Sequence, residues 1–127
     1  MSLTGLMAIA VGATLGAWMR WGLGYLLNAI LPPLPLGTLA ANLIGGYLIG
    51  FFVEVFTRQG DITPEVRLLV ITGFLGALTT FSTFSAEAVT LLTRGQYAWA
   101  AFHIASHLTG SIALTIIGIA TGRELWR

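Results

Sequence analysis

Charged residues punctuate this chain so sparsely that the uncharged runs between them set its architecture. They stand only at Arg20, Glu54, Arg58, Asp61, Glu65, Arg67, Glu87, Arg94, Arg123, Glu124 and Arg127, leaving uncharged stretches at 1–19, 21–53, 68–86 and 95–122. About 20 helical residues cross the hydrocarbon core of a bilayer, so these runs predict four membrane-spanning helices. The expected bounds are about 3–29, 36–56, 66–92 and 97–122, in a single transmembrane domain covering 1–127. Pro32, Pro33 and Pro35 stop the first helix, Gly60 and Pro64 mark a polar loop from Thr57 to Glu65, and Arg94-Gly95-Gln96 makes a tight connection before the fourth. Trp18, Trp21 and Tyr25 gather toward the end of helix 1 and Trp126 follows helix 4, where amphipathic rings suit a lipid–water interface. The first run reads as a retained helix rather than a signal peptide, because no Lys or Arg precedes it and no A-x-A-like cleavage site follows. The expected fold class is an all-α membrane protein.

The third helix departs from the others. Between Thr72 and Ser85 it carries Gly73 and Gly76 together with Thr72, Thr79, Thr80, Ser82, Thr83 and Ser85. Glycine and short hydroxyl residues are poor helix formers, and hydroxyls can take over backbone groups where a helix opens. A break is therefore predicted near Gly76 to Thr80, the alternative being an intact helix whose hydroxyls bond back to its own carbonyls. Broken backbone at membrane depth persists only where protein, water or an ion satisfies it. Elsewhere small residues pair at a spacing of four, Gly12 with Gly16, Gly46 with Gly50 and Gly118 with Gly122, which predicts close helix packing in lipid.

Composition narrows the function. With 56% hydrophobic and 9% charged residues, against roughly 25% charged in ordinary soluble domains, the chain is not a soluble enzyme, a nucleic-acid binder or a disordered segment. The mean hydropathy is +0.86. A net charge of +1 is too small for a nucleic-acid surface, and the absence of cysteine excludes disulfides and thiolate chemistry. With the N-terminus inside, Arg58, Arg67, Arg123 and Arg127 lie on the inner side and Arg20 and Arg94 on the outer. So small an imbalance instructs orientation weakly, which allows either one loosely specified topology or insertion both ways and an antiparallel pair.

Polar groups at membrane depth are the candidate chemistry. Thr38, Asn42 and Gly46 share a face of helix 2, and Asn42 can offer amide N–H groups to an anion or glue two helices together. His103, His107, Ser111 and Thr115 form a stripe on helix 4. Two histidines at that spacing can hold a metal, but no nearby acid completes a zinc site, which leaves neutral, hydrogen-bonded rings as the expectation. Arg20 is either a snorkelling anchor or a vestibule charge that attracts anions. Phe81 and Phe84 share a face beyond the expected break; their rings serve core or lipid contact, or turn positive edges to an anion. A small anion leaving water needs donors, yet a fixed cation would hold it too tightly to conduct. An amide, hydroxyls and ring edges form a graded, uncharged substitute for water.

The run Gly76-Ala77-Leu78-Thr79-Thr80-Phe81-Ser82-Thr83-Phe84-Ser85 with Glu87 resembles the signature of the Fluc/CrcB fluoride channel family. So do Gly37-Thr38-Leu39-Ala40-Ala41-Asn42-Leu43-Ile44-Gly45 and Gly16-Ala17-Trp18-Met19-Arg20-Trp21, and the likeness extends over the whole chain in length, span count and motif order. The resemblance implies a dual-topology antiparallel homodimer in a prokaryotic plasma (inner) membrane, passively exporting cytoplasmic fluoride to relieve its toxicity. By position, Asn42, Phe81 and Phe84 would line the route, with Ser82, Thr83, Thr38 and Ser111 along a polar track. It also implies a structural Na⁺ at the dimer interface, ligated by the backbone carbonyls of Gly76 and Thr79 from each subunit. The rival reading is a small multidrug-resistance-type, proton-coupled transporter, in which Glu87 would have to carry the exchange. A membrane-embedded hydrolase lacks a nucleophile motif such as G-x-S-x-G, so no enzymatic activity is expected.

Overall fold

The computed structural model describes residues 1–125 and 127; Trp126, expected near the far interface, lies outside the described residues. The described chain is helical throughout its ordered elements: α1 (Leu3–Leu27), α2 (Leu36–Gln59), α3 (Pro64–Arg67), a π-helical stretch (Leu68–Leu75), α4 (Gly76–Leu78), α5 (Phe81–Thr93) and α6 (Tyr97–Glu124). Four segments are long and apolar enough to cross a membrane, Leu3–Leu27, Leu36–Gln59, Pro64–Thr93 and Tyr97–Glu124. The third is the composite one.

Local chemistry explains where the spans start and stop. Ser2 caps α1 by accepting from the Gly5 N–H at 3.0 Å. α1 ends at Leu27, and the Asn28 side chain accepts from the Gly37 N–H at 2.8 Å, serving the first turn of α2 that Pro35 leaves without a side-chain cap. α2 runs on through Thr57, Arg58 and Gln59, residues expected in the loop. Thr57 bonds back to the Val53 carbonyl at 2.7 Å, and Arg58 pairs with Glu54 at 2.6 Å one turn earlier. Gly60, at φ 69°, then turns the chain out of the helix, and Thr63 with Pro64 starts the third span. Arg123 also reaches Glu54, at 3.3 Å, and ties the end of α6 to that of α2.

The helices associate through glycines. A methyl group on Gly12 would run into the Leu69 carbonyl, and one on Gly16 into the Phe74 carbonyl, so α1 lies directly on the backbone of the π-helical stretch. Likewise Gly50 meets the Thr115 carbonyl and Gly118 the Tyr47 carbonyl, which presses α2 and α6 together. Between these two pairs sits a small core of Ala41, Leu75 and Leu78. Apolar residues such as Leu6, Val11, Phe102 and Ile116 face outward, as lipid-facing positions should.

The third span opens at Thr79 and Thr80. Both are extended, with ψ 152° at Thr79 and φ −149°, ψ 111° at Thr80, whereas Gly76 to Leu78 keep helical backbone. Thr79 closes the upstream piece, its hydroxyl donating to the Leu75 carbonyl at 2.9 Å. Thr80 starts the downstream one, its hydroxyl accepting from the Thr83 N–H at 3.1 Å. The break falls within the expected segment, while the π-helical stretch before it was not legible in the sequence.

Gly50→Ala should therefore be overpacked against Thr115 and lose about 1–3 kcal/mol. Gly22, with nothing within 4 Å of an added methyl, should be unharmed or stabilised by up to about 1 kcal/mol on mutation to Ala. Thermal unfolding in detergent micelles checks the contrast: a lowered midpoint for Gly50→Ala and an unchanged or raised one for Gly22→Ala.

Candidate functional site

Opening a helix inside a membrane releases backbone groups that must be satisfied. Here one side chain from another helix does so. Asn42, in the second turn of α2, accepts the Thr80 N–H at its Oδ1 (2.7 Å) and donates from Nδ2 to the Thr80 carbonyl (3.1 Å). The amide thus pairs with both backbone groups of one residue, much as the facing residue of a neighbouring strand would. Because Thr80 donates to Asn42, its N–H is withdrawn from the Gly76 carbonyl that would accept it in a continuous helix. Similarly, the Thr83 N–H goes to the Thr80 hydroxyl, leaving the Thr79 carbonyl without a helical donor.

Two concavities meet at this clamp. One, of about 460 Å³, is lined by Asn42, Gly45, Gly46, Gly76, Thr79, Thr80, Phe81, Phe84, His107 and Ser111 among others. The second, of about 430 Å³, is lined by Ala17, Arg20, Trp21, Gly24, Tyr25, Asn28, Thr38, Thr80 and Thr83. Thr80 borders both. Of the expected site residues, Asn42, Phe81, Phe84, Ser111, Gly76 and Thr79 thus share the first, and Arg20, Thr38 and Thr83 the second. Ser82 borders neither: it is exposed, with its hydroxyl 3.2 Å from that of Thr80.

The aromatic pair is asymmetric. Phe81 is 79% exposed whereas Phe84 is half-buried, and their centroids lie 5.4 Å apart. Phe84 also stacks on His103 at 5.2 Å and lies 4.7 Å from His107. Thr38, buried, donates to Glu87 Oε1 at 2.6 Å. The other carboxylate oxygen, Glu87 Oε2, lies 3.5 Å from His103 Nε2. The expectation that no acid stands near the two histidines is therefore corrected: α5 and α6 form a hairpin about Gly95, and Glu87 and His103 each lie eight residues from that turn. That symmetry is the sequence signal that could have paired them. Thr115 was legible as part of the stripe but not for its role, which is to donate to both the Gly46 and Ser111 carbonyls at 2.8 Å.

A family model described as "CrcB-like protein, Camphor Resistance (CrcB)" matches residues 7–119. The chain belongs to this family. It is similar to a protein named fluoride-specific ion channel FluC from Nitrosospira multiformis, 64% identical over 125 residues and 98% of both chains. Proteins of the same name from Cupriavidus taiwanensis, at 58% identity over 95% of this chain and 96% of the relative, and Pseudomonas putida, at 56% over 94% of each, are also similar. Within the matched range, the third span's hydroxyl run is the segment that supplies the break, its cap at Thr80 and the Phe81 and Phe84 pair.

The Gly76 and Thr79 carbonyls fit a hard cation by their chemistry: they are oxygen donors, freed from helical partners, and both residues border the larger concavity.

The clamp should outweigh the cap. Asn42→Ala strands both backbone polar groups of Thr80, each costing about 1–3 kcal/mol when left unpaired, whereas Thr80→Ala removes a cap worth about 1 kcal/mol. Thermal unfolding in detergent should rank Asn42→Ala below Thr80→Ala; the reverse order would show that the amide is not what secures the break.

Proposed function

We infer that this chain forms a passive, fluoride-selective ion channel, with no enzymatic activity, as a multi-pass protein of a prokaryotic plasma (inner) membrane. One observation carries the reading: in a chain so similar to proteins named fluoride-specific ion channel FluC, the third span is opened between two concavities and edged by uncharged donors and phenyl rings. Hydrated fluoride must trade its water for other positive dipoles. Hydroxyls of Thr83 and Ser111, the Asn42 amide and the edges of Phe81 and Phe84 supply them in steps, each weak enough to release the ion, and Thr38 joins them where its hydroxyl turns from Glu87. Ser82, exposed beside Thr80, completes the track only if its hydroxyl turns toward the route. Arg20 gives the vestibule a positive charge that raises local anion concentration. Fluoride is the base of a weak acid that enters as neutral HF and is trapped as the anion, and a negative cell interior drives it out through a passive route.

The working unit is an antiparallel, dual-topology homodimer. The weak arginine imbalance and the wide exposure of Phe81 at an open groove support it. Gly76 and Thr79 carbonyls from both subunits would hold a structural Na⁺ on the axis, where it would neutralise oxygens freed by the break. A proton-coupled transporter finds less support, since Glu87 is engaged by Thr38 and borders neither concavity.

Purified protein in liposomes, loaded with fluoride or chloride and read with ion-selective electrodes, tests the function. Fluoride should leave rapidly and chloride should not; equal loss of both ions, or of neither, would refute it. In the same assay, variants whose loop charges force one orientation should be silent alone and regain efflux when oppositely biased forms are co-expressed. Efflux from a single-orientation population would remove the antiparallel dimer.

A further inference from the structure

We propose that Glu87, His103 and His107 form a binding site for a borderline divalent transition metal such as Zn²⁺, whose occupancy blocks the anion route. The three side chains each present a ligand atom, and these atoms lie within 4.8 Å of one another. His103 and His107 are 0% and 4% exposed. Glu87 Oε2, His103 Nδ1 and His107 Nε2 are buried with no hydrogen-bond partner, Oε2 lying 3.5 Å from His103 Nε2.

For Glu87 and His103 the engaged atoms supply the outer contacts that metal ligands require. Thr38 holds Glu87 Oε1. His103 Nε2 lies 3.3 Å from the Phe84 carbonyl, to which it donates, so the neutral ring has its lone pair at the unpartnered Nδ1. At His107, Nδ1 lies 3.0 Å from Asn42 Nδ2. The two bonds of Asn42 to Thr80 orient its N–H groups, so Nδ1 accepts and the ring proton sits on Nε2. Loading an ion on Nε2 moves that proton to Nδ1 and gives up the Asn42 contact, while the amide keeps Thr80. Two nitrogens and one carboxylate oxygen suit Zn²⁺ or Cu²⁺ over Mg²⁺ or Na⁺, and three protein ligands leave a fourth position open.

Access and consequence follow from position. His107 borders the larger concavity, so an ion entering there meets the site directly. A dication against one carboxylate leaves net positive charge beside Phe84, where the fluoride route otherwise has none. Such a charge holds an anion instead of passing it on. The blocking effect rests on the channel reading above; the binding does not.

Isothermal titration of untagged, chelator-treated protein with Zn²⁺ and, separately, Mg²⁺ tests the site, with fluoride efflux recorded in parallel. Zn²⁺ should bind saturably at one ion per chain and slow efflux, and Mg²⁺ should do neither. Glu87→Gln and His103→Gln should each weaken Zn²⁺ binding by more than about tenfold, because even outer-shell losses cost about 10–100-fold. No saturable Zn²⁺ heat with the wild-type protein would overturn the site, as would unchanged affinity in both variants. Zn²⁺ binding without slowed efflux would overturn the block, and wild-type protein that passes no fluoride in the absence of metal would instead count against the channel reading.

Discussion

The pairing of the Asn42 carboxamide with the backbone N–H and C=O of Thr80 is the contact on which the other features depend. A helix cannot be interrupted at membrane depth unless the freed N–H and C=O find partners, because hydrocarbon offers none. Asn42 matches both with one planar group, at 2.7 and 3.1 Å. With both groups satisfied, Thr79 and Thr80 can stay extended, the Gly76 and Thr79 carbonyls are released, and Phe81 restarts the helix. The two concavities meet at Thr80 for the same reason.

Glycine contacts make that pairing possible. Asn42 can reach the break only because α2 lies against α6 and close to the third span. Gly45 leaves room for the Thr79 side chain, and Gly46 and Gly50 bring Ser111 and Thr115 to backbone range. On the other side, Gly12 and Gly16 seat α1 on carbonyls of the π-helical stretch. The packing forces are thus distributed along the spans, while the polar chemistry is concentrated in one layer between Thr38 and Thr115.

Much of this was legible in the sequence, for identifiable reasons. Charges are so rare that their spacing marks the spans, and the glycines and hydroxyls of residues 72–85 locate the break. What escaped depends on contacts far apart in the chain. Thr80 lies 38 positions from the amide that holds it, so nothing local announces the clamp. The π-helical stretch, apolar but for Thr72, carries no local mark of its geometry and lies against the α1 backbone. Glu87 reads as an ordinary interfacial acid until the α5–α6 hairpin turns it toward His103. Arg58 reads as loop until its pairing with Glu54 extends α2 by a turn.

The central claim is that the Asn42 amide both secures the break and, by releasing the N–H that His107 Nδ1 accepts, offers a donor to the passing anion. Fluoride efflux from liposomes containing Asn42→Asp, in protein shown to be folded, measures this most directly. The carboxylate can still accept the Thr80 N–H but donates nothing and repels fluoride. With a donor lost and a negative charge placed on the route, efflux should fall to near the level of protein-free liposomes. Efflux equal to that of the wild-type chain would contradict the account.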